Sequence, residues 1–301
     1  MRQLKRIIVG YDLRAGGENA IQSAVALAGR YGASLKLVHA IEPYHSYQLL
    51  SHPFTPPYPI EELAQKAGEQ LEARVQKPDL APLHVEYEVR TGKAFVELII
   101  ARRAWQADLI VVGGAAQEDG GSLGRTGERV VRKALVPVLI ARKPFSATAK
   151  RFLVPTDFSP SARKAAEEAL ILAESFGGRV LFVHALEPVY SYPLVYEGMV
   201  GAPPPLPPLT PADIEDEWQA FLAGLPSLDK VPWEKHTVEG RAATMLVRQA
   251  EESQADLIVI GTHGRSGLAH LLLGSVAEEV VGTAPCPVLT IRPDAFQFEL
   301  P

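Results

Sequence analysis

The chain has 301 residues, which at roughly 150 residues per domain points to two domains. Hydrophobic residues make up 47% and charged residues 22%, so the chain is not disordered as a whole. The net charge of −5 leaves no basic footprint for DNA or RNA, and the single Cys excludes a disulfide framework and a cysteine-based zinc site.

The opening MRQLKRIIVGYD has the positive start of a signal peptide, but the apolar stretch 7–9 is too short for one. No apolar run approaches the ~18 residues of a membrane span, so the expectation is a soluble cytoplasmic protein without membrane or nucleic-acid partners. The stretch 7–9 reads as a first strand. Ala20, Ala24, Leu27 and Ala28 then recur at helical spacing, and Gly32 stands where that helix should stop. Further strands are expected at 35–38, 109–112 and 136–140. These runs lack in/out alternation, as strands covered on both faces do.

An internal repeat organises the rest. Residues 7–43 align without a gap onto 152–188, and QADLIVVG at 106–113 returns as QADLIVIG at 254–261. The seam falls near 143–150, giving domains 1–146 and 147–301. In the second copy Ser159-Pro160 opens the first helix, with Ser as cap and Pro in the first turn, and Gly177 ends it. Alternating strand and helix implies an α/β fold: each half is a doubly wound, roughly five-stranded parallel sheet with helices on both faces. Long inserts at 44–60 and 189–212 interrupt the rhythm. They open alike, His45-Ser46-Tyr47 and Tyr190-Ser191-Tyr192, which favours an interface role over a plain connection.

In the second half, strand 256–260 runs into a loop with glycines at 261, 264, 267 and 274. Gly261 permits close approach of backbone to a ligand. Gly274-Ser275 opens the last helix, whose free N–H groups and dipole favour an anion. The Ser275 hydroxyl can cap that helix or donate to a phosphate oxygen. Asp157, just past the first strand of this half, projects into the same crevice at the carboxyl ends of the strands. The spacing fits neither G-x-G-x-x-G nor G-x-x-x-x-G-K-[ST]. The plainer alternative is glycines that serve only tight turns.

The pattern G-x2-G-x9-G-[ST] is complete as Gly261, Gly264, Gly274 and Ser275, beside PTDFS at 155–159, VHAL at 183–186 and APCPVL at 284–289. In this combination the chain resembles the universal stress protein family, over both halves apart from the inserts, and within it the tandem members. The resemblance implies an ATP-binding α/β domain whose fifth strand pairs with a partner domain. It implies that Asp157 contacts the ribose or a metal-bridged phosphate and that Pro155 and Ala185 line the adenine pocket. Gly261, Gly264, Gly274 and Ser275 would hold the phosphates. Thr156, Thr262 and Val276 belong to the same candidate set, and His263 and Arg265 can add charge to the loop. The halves would pack as a pseudo-dimer through their final strands, which otherwise leave apolar edges. Further association into a homodimer stays open.

The first half departs from this pattern. Its candidate site is Asp12, Ala40, Gly113, Gly124 and Arg125, with Ala116 in place of Gly264 and Arg125 in place of the hydroxyl residue. Glu118 and Asp119 would repel a triphosphate, although Arg125 is itself a phosphate donor. Weak or no ATP binding is expected there. The function read from this is an ATP-binding stress-response or regulatory protein that uses ATP, with Mg, as a conformational ligand towards a protein partner. The alternatives are slow ATP hydrolysis or phosphoryl transfer assisted by His263 or Asp157, and a scaffold with vestigial pockets.

Other residues read as structural. His39 and His184 end strands without metal-ligand spacing, Cys286 between two prolines is buried and inert, and Trp105, Trp218 and Trp233 are packing residues. Asp213, Glu215, Asp216 and Glu217 suit the first turn of a helix.

Overall fold

The computed structural model describes residues 4–43, 59–114, 124–187, 210–264 and 273–292, without the Arg125 side chain. The first half runs β1 (Arg6–Gly10), α1 (Ala15–Tyr31), β2 (Ser34–Ile41), α2 (Ile60–Val75), β3 (Val85–Thr91), α3 (Ala94–Trp105), β4 (Leu109–Gly113), α4 (Arg125–Lys133) and β5 (Val138–Ala141). The second repeats it as β6 (Arg151–Pro155), α5 (Pro160–Phe176), β7 (Arg179–Leu186), α6 (Pro211–Leu222), β8 (Trp233–Glu239), α7 (Ala242–Glu252), β9 (Leu257–Gly261), α8 (Ser275–Thr283) and β10 (Val288–Ile291). Among the described residues no helix is long and apolar enough to cross a membrane.

Local sequence chemistry sets the helix ends. Ser159 Oγ accepts the Ala162 N–H at 3.2 Å, with Pro160 in the first turn of α5. Gly32 and Gly177 end α1 and α5 at φ 68° and 61°, left-handed positions that favour glycine. The acidic run lies in α6, which begins with a reciprocal cap between Thr210 and Asp213. The expected last strand of the first half starts two residues later than 136, at Val138, after Pro137, which has no N–H to give a ladder.

Among the described residues the strands form one ten-stranded sheet in the order β3-β2-β1-β4-β5-β10-β9-β6-β7-β8. Each half is parallel, and the halves meet where β5 and β10 pair antiparallel, with Leu139 opposite Leu289. The expected pseudo-dimer is therefore built through the final strands. Arg142 and Arg292 cross the seam reciprocally: Arg142 donates to the Gly282 carbonyl of α8, and Arg292 Nη2 to the Val131 carbonyl of α4 at 2.5 Å. A cation near a helix C-terminus is favoured by the dipole.

Alternate residues of each strand feed opposite cores. Ile7, Val9, Leu109 and Val111 lie on the face covered by α1 and α2, and Ile8, Ile110 and Val112 on the face covered by α3 and α4; α5 and α6 continue the first core in the second half, and α7 and α8 the second. Each core contains residues of both halves, so the layers run unbroken across the seam. Cys286 lies in the second core, where burial pushes its thiol up to about 12. Iodoacetamide at neutral pH is therefore expected to leave it unmodified in the native protein and to label it fully in denaturant, as read by mass spectrometry. Trp218 is buried and donates to Thr237 Oγ1 at 3.0 Å. Trp233 differs from expectation: it sits on edge strand β8, 38% exposed, against the edge of Phe182.

Candidate functional site

Strand order reverses between β1 and β4 in one half and between β6 and β9 in the other, which opens a crevice at the carboxyl ends of the strands. In the second half that crevice is a cavity of about 230 Å³. Of the predicted residues, Pro155, Thr156, Asp157, Ala185, Gly261, Thr262, His263, Gly264, Gly274, Ser275 and Val276 all line it. Arg265 lies outside the described residues, as do Glu118, Asp119 and most of both inserts.

The turn after β6 aims Asp157. Thr156 N–H donates to the Val183 carbonyl at 2.9 Å, and Asp157 Oδ1 accepts the Ser159 N–H at 3.0 Å. Between them Phe158 is held at φ +63°, and Leu13 repeats this in the first half at +61°. A non-glycine residue pays about 1–2 kcal/mol for that conformation. Aromatic packing offsets the cost: the Phe158 ring lies 4.4 Å from His184 and 5.1 Å from Trp218. The His184 Nδ1–H in turn donates to the Thr156 carbonyl at 2.8 Å, as His39 does to Tyr11. The recurring histidines thus brace the aspartate turn.

Two other recurring acids have similar tasks. Glu187 Oε1 caps α7 by accepting the Ala242 N–H at 2.7 Å, and Glu42 caps α3 through Ala94 at 2.8 Å. Asp256 Oδ2 accepts the N–H groups of Lys150 and Arg151, as Asp108 does for Lys5 and Arg6.

The ends of the glycine loop are tied together. Thr262 N–H reaches the Ile291 carbonyl at 3.0 Å, and Gly274 N–H reaches the Thr262 carbonyl at 2.9 Å. Gly274 is the N-cap of α8 and Ser275 its first helical residue, so of the two roles open to the Ser275 hydroxyl capping is not the one it takes. Ser275 lines the cavity, beside first-turn N–H groups that lack intrahelical acceptors by position. A Cβ on Gly264 would come 3.0 Å from Asp157 Oδ2, so loop and carboxylate face each other closely.

Burial first, and then the Arg292 charge, push the His263 imidazole below the usual histidine range. Val183, Ala242, Leu246 and Ile260 add an apolar wall that the motif did not reveal. The helical spacing of Ala242 and Leu246 was the available signal. Among the described residues no group of three His, Cys, Asp or Glu side chains is placed to hold a metal ion. An apolar slot, one carboxylate and a helix N-terminus around a glycine cradle can take a planar base at one end and an anion at the other.

The first half keeps a cavity of the same size, about 230 Å³, lined by Asp12, Ala40, Gly113 and Gly124 together with Tyr11, Thr126 and Gly127. Its lining differs. Gly124 enters α4 at φ 72°, whereas Gly274 enters α8 at −58°. Tyr11, at the position of Thr156, donates to Glu18 Oε1 at 2.5 Å; burial, then that carboxylate, pushes its phenol well above the usual range.

A sequence profile of the universal stress protein family matches residues 3–142 and again 148–292. A universal stress protein of Mycolicibacterium smegmatis is 29% identical over 95% of this chain and 97% of its own length. One from Thermus aquaticus is 36% identical over 48% of this chain and 98% of its own. The crystal structure of a universal stress protein from Archaeoglobus fulgidus superposes with a TM-score of 0.71 at 22% identity, covering 97% of both chains, a likeness of fold.

Proposed function

The chain belongs to the universal stress protein family as a tandem member, and on that premise we propose that its second half binds ATP, with Mg, as a conformational ligand. The observation that carries this is the convergence on one cavity of Asp157, the glycine cradle and the N-terminus of α8, opposite an apolar wall. Pro155, Ala185 and Leu246 would flank the base, and Asp157 would face the ribose or a metal-bridged phosphate. The α8 first turn and Ser275 would receive the phosphates. Asp157 would be the carboxylate available to a magnesium ion carried in with the nucleotide, which would supply charge neutralisation. Binding favours whichever arrangement of the loop holds the ligand better, and that shift presents a surface to a protein partner.

The test is a calorimetric titration of nucleotide-stripped protein with Mg·ATP. One ATP per chain is expected, lost in Gly274→Val, whose side chain would enter the cradle. At 100 times its dissociation constant ATP adds about 2.7 kcal/mol, a rise of roughly 5–11 °C in Tm. Two ATP per chain would show that the first cavity is equally competent. No binding up to millimolar ATP would sink the nucleotide reading.

A further inference from the structure

The two halves share a fold over different side chains, so each half serves as an internal reference for the other. They diverge at the amino-terminal ends of the strands, on the α3/α7 face. In the first half Trp105, the last residue of α3, packs against the apolar core there. Lys36 lies 5.1 Å from its indole ring and pairs with Glu86 of the neighbouring strand at 3.0 Å; that lysine first, and the indole N–H after it, hold the Glu86 carboxyl below its usual range. In the second half the residue before the shared QADLIV segment is Ser253, not Trp. Its hydroxyl is turned back onto the Gln249 carbonyl at 2.6 Å. The acceptor is retained: Glu86 is paired in register with Lys36, and Glu234 holds that place beside Leu181.

Where the first half has its indole, the second has a cavity of about 470 Å³. Leu153 and Leu181, whose side chains lie on this face of the sheet, line it together with Gln249 of α7 and Ser253, the residue that ends that helix. It is separate from the nucleotide cavity, to which α7 gives Ala242 and Leu246 from its other end. Its volume falls within the range of small-molecule pockets. The charges around it are compensated: Arg151 with Asp256 at 3.5 Å, Arg179 with Glu234 at 4.0 Å, and Arg248 with Glu252 at 2.6 Å. Leu181 in place of Lys36 also removes the cation beside the ring.

We propose that this cavity is a second ligand site, which takes a neutral planar heterocycle with a ring N–H, of the indole class, with Glu234 as acceptor. The ligand takes the position that the Trp105 side chain holds in the first half, with its ring N–H towards the Glu234 carboxylate. A carboxylate accepting the ring N–H gives orientation, and the aliphatic wall of Leu153 and Leu181 gives affinity.

The test titrates the full-length protein with indole and with 1-methylindole, followed by the amide shifts of β8 and α7 in NMR spectra. Saturable shifts at Glu234, Gln249 and Ser253 are expected with indole, and roughly tenfold weaker binding with 1-methylindole, which cannot donate. Ser253→Trp should abolish the titration by supplying the ring in cis. Glu234→Ala, on an exposed strand position, should reproduce the tenfold loss, and it decides the matter if Ser253→Trp fails to fold. The proposal is overturned by absence of saturation up to the solubility of indole, or by equal binding of the two probes. Displacement by saturating Mg·ATP would also overturn it, because indole would then occupy the nucleotide cavity.

Discussion

Gly261→Ala is expected to cost about 3 kcal/mol of stability, whereas Gly274→Ala should leave stability within about 0.5 kcal/mol. Both glycines belong to one motif, yet they do different work. A Cβ on Gly261 would lie 2.5 Å from Ser161 Oγ and 2.8–2.9 Å from the Ser161 carbonyl group, so the first turn of α5 would have to move. The first half makes the same demand more severely: at Gly113 the obstructing atoms all belong to the Gly16 backbone, and no side chain can swing away. Gly113→Ala should therefore be the worse of the two. At Gly274 the nearest atom is the Thr262 carbonyl oxygen at 3.4 Å, and φ is −58°, which any residue adopts. Its glycine serves the space in front of α8. Urea denaturation and ATP titration of the same variants separate the roles: Gly261→Ala lowers the midpoint, and Gly274→Ala keeps it while weakening ATP. A Gly274→Ala variant that binds ATP normally would mean that this glycine serves the chain's own geometry.

This division of labour marks where sequence reading succeeds. The repeat, the strand-length apolar runs and the paired stops at Gly32 and Gly177 carry local or duplicated signals, so the two parallel sheets could be read directly. The seam could be inferred because apolar strands do not remain at open edges. The cavity residues clustered around PTDFS and the glycine loop because both motifs sit at carboxyl ends of neighbouring strands. What escaped depends on distance or conformation. No residue type announces that Phe158 and Leu13 adopt positive φ, since bulky residues rarely do. The lowered basicity of His263 depends on burial and on Arg292, which comes from the next strand's end. The loss of Trp105 at Ser253 was visible in the alignment, but its meaning needed the partner strands around it.

Arg74→Met should cost about 3 kcal/mol, with most of the loss confined to neutral pH. Arg74 is 5% exposed and joins α2 to α1: its Nε meets both Glu18 oxygens at 3.0 Å, and its two Nη atoms grip Asp79 at 3.0 and 2.8 Å. Methionine fills the volume but leaves two carboxylates facing each other. Those carboxylates are 32% and 42% exposed and keep some water, which holds the cost at the lower end for a broken buried pair. The Arg74 hydrogen bond holds the Asp79 carboxyl below its usual range, against burial that raises it. A carboxyl depressed in the folded state contributes fully above its unfolded pKa of about 3.9 and loses that contribution as pH falls through the folded value. The gap between wild type and Arg74→Met should therefore be constant above about pH 5 and close in acid. Urea midpoints between pH 7 and 3 measure it, and a gap independent of pH would reduce Arg74 to a packing residue. At the corresponding place the second half relies on carbonyl acceptors. Arg163 on α5, in the place of Glu18, donates to the Phe221 and Ala223 carbonyls at the end of α6, at 2.8 and 2.6 Å. Carbonyl acceptors do not protonate in this range, so acid should loosen the α1/α2 contact before the α5/α6 one. Tyr11 shares Glu18 with Arg74 and lines the first cavity, so that cavity should be the one distorted in Arg74→Met. ATP stoichiometry at the second half should stay at one.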